Sequence, residues 1–192
     1  MSSTFAPGSW PLFAAGLLMI AACSDTPSAV SDLEIDQSLE ASAEARSPHQ
    51  RLPADIREWV HDLRRATSPF RNFDEAAAAG YVAALSPCVE SPAGGMGYHY
   101  GNPALIDGQL EALRPEILLY EPRSNGRLRF VGVEFIVPFA AWTSAEPPQV
   151  RGIPLHANAE LGLWALHVWT ERHNPSGVFE DFNPMVSCSA AN

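Results

Sequence analysis

Lysine is absent from this chain: all 12 basic residues are arginine, and 22 acidic residues outnumber them, giving a formal net charge of −10. That balance argues against nucleic acid or an anionic bilayer as an electrostatic partner, because phosphate binding needs a basic patch. Long apolar runs are equally scarce. The single one, Pro11 to Ala22, suits the roughly 7–15 residues of an export-signal core and not the about 20 of a spanning helix. Even the positive segment that usually precedes such a core is missing, since residues 1–11 hold neither Lys nor Arg. Patterns that announce a reaction are missing too. There is no Gly-x-Ser-x-Gly elbow and no His-Glu-x-x-His helix, and Gly94-Gly95-Met96-Gly97 lacks the Lys and the following helix of a phosphate-binding loop, so it reads as a turn. No internal repeat organises the chain.

What is present begins with location. Leu18-Met19-Ile20-Ala21-Ala22-Cys23 resembles the lipobox of a bacterial lipoprotein. The resemblance implies a signal peptide over residues 1–22, cleavage before Cys23, and acylation of that cysteine. Each buried methylene of the acyl chains adds about 0.8 kcal/mol of membrane affinity. Ser24 resembles the residue that sorts Gram-negative lipoproteins to the outer membrane. The expectation is a cell-envelope protein held by lipid, on the periplasmic face of the outer membrane in a Gram-negative host. Residues 23–50 carry six acidic side chains against Arg46 alone. They read as a solvated, self-repelling tether, with a short helix around Leu33–Ala45 left open.

Residues 51–192 then form one domain, large enough for a hydrophobic core. Cys88 and Cys188, an even pair outside the cytoplasm, read as a disulfide that closes a loop of about one hundred residues, worth close to 4.7 kcal/mol by chain entropy. After Pro53, Ile56, Trp59, Val60 and Leu63 fall at helical spacing. A second helix is expected from the Asn72 cap and Glu75 through Leu85 to Ser86-Pro87. Beyond Cys88 the period becomes that of strands. Glu116–Tyr120 and Arg127–Val137 flank Ser124-Asn125-Gly126, a strong hairpin signal, and a further strand is expected over Leu163–Glu171. The fold class is therefore α+β, with N-terminal helices packed on an antiparallel sheet that can curl into a small barrel.

Chemistry concentrates in the strand-rich half. His99 sits between Tyr98 and Tyr100, with Gly97 and Gly101 outside them. Period two puts His167, Trp169, Glu171 and, if the strand runs on, His173 on one face. Glu134 falls in an apolar strand on the face of Leu128, Phe130, Gly132 and Ile136, where a carboxylate is costly unless paired, protonated or bound to a cation. Imidazoles with one carboxylate form a ligand set for zinc, iron, copper, nickel or manganese. One reading is a single transition-metal ion held by His99, Glu134 and His167, with His156 or His173 as a further ligand. Another pairs Glu134 with Arg127, Arg129 or Arg151 and leaves the histidines as core residues. Glu180-Asp181 reads as a solvated loop.

Taken together, Gly95-Met96-Gly97-Tyr98-His99-Tyr100, Pro115 to Pro122, Val133-Glu134, Leu166-His167-Val168-Trp169 and His173-Asn174-Pro175-Ser176-Gly177 with Asn183-Pro184 and Cys188 resemble an uncharacterised family of exported bacterial proteins. The resemblance spans roughly residues 55–190. It implies one exported domain with a shared site and carries no reaction with it. Two functions stay open at this point. The first is a tethered domain whose His/Glu pocket binds a metal and acts on an unidentified small molecule. The second is a non-enzymatic binding or structural lipoprotein that uses Trp142, Trp164 and Trp169 to hold an apolar ligand or a protein partner.

Overall fold

A computed structural model of the chain describes residues 51–191. The signal expected at 1–22, the acylation expected at Cys23 and the tether expected up to residue 50 lie outside the described residues. Helix α1 (Ala54–Thr67) forms as its spacing predicts: Ile56, Trp59, Val60 and Leu63 are buried, Asp55 sits in the first turn, and Arg64 and Arg65 sit in the last. Those charges complement the helix dipole. A 3-10 turn (Ser68–Arg71) leads to α2 (Phe73–Ala78), where the Asn72 side chain accepts from the Asp74 N–H. This helix stops far short of Ser86. Gly80 takes φ 98°, and the Tyr81 and Gly80 N–H groups donate to Ala76 and Ala77 carbonyls. That is a Schellman ending, which the glycine makes possible.

The remaining elements are strands: β1 (Ala83–Ala84), β2 (Val89–Ser91), β3 (Gly94–Gly101), β4 (Ile117–Pro122), β5 (Leu128–Pro138), β6 (Gln149–Val150), β7 (Ile153–Pro154), β8 (His156–Asn158) and β9 (Leu163–Val168). The main sheet runs β1-β3-β4-β5-β9-β8, with β2 on β3, and its pairings are antiparallel. The chain is thus an α+β domain. Its sheet is open and not a barrel, because the path ends in strands of two and three residues that do not pair with each other. Gly94–Gly97 belong to β3 and not to a turn; the turn is at Pro92-Ala93.

One irregularity decides which side chains reach the site. Along the β4–β5 ladder, Leu119 pairs with Gly132 but Tyr120 pairs with Phe130, so Val131 is an extra residue on β5. A one-residue bulge swaps the faces of everything beyond it. Leu128 and Phe130 therefore pack with Val133, Phe135 and Val137 on the helix side, while Val131 and Ile136 pack on the other. Glu134 shares the second face with Ile136, and Leu128 and Phe130 do not belong to that face as strict alternation would have it.

The helix-side core joins Trp59, Leu63, Phe135, Leu166 and Val168; the Trp59 ring lies 6.0 Å from Phe135 and 6.1 Å from Phe179. The Trp59 indole N–H donates to the Ala112 carbonyl at 2.8 Å. A smaller core of Ile117, Leu119, Val131, Ile136, Ala165 and Trp169 covers part of the opposite face, together with Val186 from the C-terminal segment. That segment is fastened by the Cys88–Cys188 disulfide, Cα–Cα 5.7 Å across a separation of 100 residues. Among the described residues no helix is long and apolar enough to cross a membrane.

Candidate metal centre

Glu134 and His167 are direct partners across the β5–β9 ladder, and His99 lies on β3, opposite Leu119 of β4. Beside His99, Gly97 has φ 89°, and a Cβ there would stand 2.4 Å from the Tyr120 carbonyl oxygen, so only glycine lets β3 lie this close to β4. The three side chains meet on the face away from α1. His99 Nε2 is 3.6 Å from Glu134 Oε2, and His167 Nε2 is 3.8 Å from Glu134 Oε1. One ligand atom from each residue lies within 4.8 Å of the other two, and all three residues are buried. These separations exceed a hydrogen bond. They approach the distance of about 3.4 Å that separates ligand atoms set tetrahedrally around one ion at about 2.1 Å.

The outer nitrogens of both rings are held. His99 Nδ1 is 2.8 Å from Ser86 Oγ, and His167 Nδ1 is 3.2 Å from Asp181 Oδ1. With Nδ1 held by Asp181, His167 turns Nε2 toward Glu134, and that buried atom has no hydrogen-bond partner. A buried imidazole nitrogen without a partner is costly, and coordination of a cation is one way to satisfy it. The carboxylate–histidine pairing is also the arrangement that orients metal-bound histidines.

Burial, and then the neighbouring His167, push the His99 pKa down to about 3, so its ring is neutral and able to ligate. Burial raises the Glu134 pKa against the pull of His167. At His167 burial opposes charge, but Glu134 and Asp181 outweigh it and the pKa lies above the ordinary value. Asp181 is held below its usual range, first by its hydrogen bond to His167. Nearby, Glu116 is buried with Oε2 accepting from the Ile136 N–H at 3.0 Å, and burial pushes its pKa up to about 8.

The cluster opens into a groove of about 890 Å³, whose walls include Met96, Ile106, Ile136 and Leu163. His156 on β8 lines the same groove but is exposed, and it joins neither ion pair of Glu134. His173 is not part of the cluster. Strand β9 ends at Val168, short of Glu171, and the chain turns away, so His173 is exposed beside Val60, His61 and Arg64. Among the described residues no arginine lies at ion-pairing distance from Glu134: Arg129 pairs with Glu121. Nor do the tryptophans make a common surface. Trp169 is buried, stacks on His167 and donates to the Glu180 carbonyl, whereas Trp142 and Trp164 pack against the helix-side core.

Three groups escaped the sequence reading. Ser86 was a helix end, Asp181 a solvated loop residue, and Glu116 simply the first residue of a strand. Only the acidic pair between Phe179 and Phe182 carried a signal, since aromatics on both sides of an acid are what dock a loop onto a core.

By fold and site, this is an α+β domain with two histidines and one carboxylate at the floor of an apolar groove. No family model, curated protein or solved structure matches the chain.

Proposed function

We propose that this domain binds one transition-metal ion through His99 Nε2, Glu134 and His167 Nε2, and presents it to a small molecule in the groove. The convergence of three buried ligand atoms with one unpartnered imidazole nitrogen carries the reading. Three protein ligands leave coordination positions for a substrate, as two histidines and one carboxylate do in metal oxygenases and hydrolases. When bound, the ion supplies Lewis acidity or activates a bound oxygen ligand. Asp181 and Ser86 hold the two rings, and Glu134 serves as ligand or, after ligand exchange, as general base. The exported, lipid-anchored setting belongs to the same proposal and rests on residues 11–24. Replacing Cys23 by Ala should move the protein out of the membrane fraction, and an unchanged distribution would remove the anchor.

The test is the metal content of the full chain by plasma mass spectrometry, after reconstitution with zinc, iron, copper, manganese and nickel, beside the Glu134→Gln/His167→Ala double variant. Near-stoichiometric metal in the parent and none in the variant is expected. A parent chain that holds no ion under any of these conditions, with a melting temperature indifferent to chelators, would leave a metal-free binding domain.

A further inference from the structure

The groove above the cluster has a chemistry of its own. Its side walls are aliphatic: Leu85, Ile106, Ile117, Ile136, Leu161 and Leu163 all line it. Leu85 and Leu161 are 47% and 68% exposed, two of the five large apolar side chains that stand out from the surface among the described residues. Apolar groups left in water are normal singly, but here they share one concave wall that leads down to the site. A volume of about 890 Å³ lies within the range of small-molecule sites, roughly 300–1,000 Å³.

The polar lining is as selective. Besides the three cluster residues it comprises, among the described residues, Ser86, His156, Asn158, Glu160 and Asp181, with no arginine. Without a metal, an anionic head group in the groove would meet Glu134, Glu160 and Asp181 and no arginine of the described residues. With a divalent ion on the cluster, the same head group gains a ligand position in the groove that the apolar side chains line. Oxygen donors suit such an ion, and a long apolar body suits the walls.

Resting on the metal reading above, we infer that the groove binds a small amphiphile: one anionic oxygen-donor head group, carboxylate or hydroxamate in kind, on an extended apolar body. The head ligates the ion at His99, Glu134 and His167, and the body lies along Ile106, Leu161 and Leu163. No covalent step is involved in this binding. The preference has two separable parts, since metal decides whether the head binds and chain length decides how tightly.

Cobalt(II)-loaded full-length protein offers a direct test, because visible bands of the ion shift when an oxygen ligand joins it. Acetohydroxamate and octanohydroxamate are titrated in parallel, with metal content measured on the same samples. Six added methylenes, partly buried, should tighten binding by at least about thirtyfold, since full burial of each would give nearly a factor of four. Leu161→Asn, at an exposed position outside the strands, should remove several-fold of that gain while metal content stays unchanged. Metal-loaded protein that binds both probes equally would overturn the amphiphile and leave the metal centre standing. Protein that never takes up cobalt or any other ion would overturn both.

Discussion

The two faces of the sheet share the same strands and yet obey different rules. On the helix side, Val133, Phe135, Val137, Leu166 and Val168 meet α1 in a core whose buried members include no carboxylate, imidazole or arginine. On the other side the same two strands present Glu134 and His167, joined by His99, beneath a groove that no described helix lines. Alternation along β5 places Phe135 and Glu134 next to each other in sequence and on opposite faces. A domain that needs a core of this size for stability has filled one face with it, and the charged, partly open face is then free to carry chemistry. Costly burial of three ionisable groups is expected where function retains them.

Substitutions at those two neighbours break the comparison most directly. Phe135→Ala removes a fully buried ring from contact with Trp59 and should cost about 3–5 kcal/mol in urea unfolding. Metal binding per folded molecule should survive it. Glu134→Gln keeps the shape and should leave the unfolding midpoint of metal-free protein within a small margin while abolishing metal uptake. If Glu134→Gln proved as destabilising as Phe135→Ala, the polar face would be structural, and the division of labour between the faces would fail.

Glu116 sharpens the contrast at the sheet's end, because it is an acid kept for a backbone contact. Its carboxyl titrates near 4.5 ordinarily and near 8 when folded, with burial as the first cause. Between those values the folded chain holds a proton that the unfolded chain has released, so stability falls as pH rises through that window. Glutamine retains an acceptor for the Ile136 N–H and carries no charge. Metal-free Glu116→Gln should therefore match the parent below about pH 4 and exceed it by up to a few kcal/mol above about pH 8. Parallel stability curves across that range would show that Glu116 is ionised in the folded protein.

How much of this could be read in advance follows from the same physics. Helix α1 and the β4–β5 hairpin were legible because their signals are local: 3.6-residue spacing in one, Asn125-Gly126 in the other. His99, Glu134 and His167 were legible as polar residues that strands could not afford without partners. The bulge at Val131 was not, because an extra residue shows only against the partner strand's register. The early end of α2 at Gly80 lost to the longer apolar pattern that continues past it. Asp181 and Ser86 come from loops, and loops reach a site through the packing of distant segments, here the disulfide-fastened C-terminal stretch and the turn before Cys88.

Those two loop residues give the finest division within the polar face. Asp181 holds His167 with a charge, whereas Ser86 holds His99 with a neutral hydroxyl. Asp181→Asn keeps an acceptor for the Nδ1 proton but withdraws the charge that makes the ring a better ligand, and should weaken metal affinity about 10–100-fold. Ser86→Ala should weaken it less. The deficit of Asp181→Asn should also depend on pH in a fixed direction. Asp181 favours a proton on His167 as well as a metal, so in acid its removal eases proton competition and partly cancels the loss of metal affinity. Above the His167 pKa no proton competes, and the full deficit remains. Competition titration of the two proteins against a metal chelator across this range should show the gap widening as pH rises. A gap that stays constant would mean that Asp181 only positions the ring, and a gap of zero would mean that His167 is oriented by β9 alone.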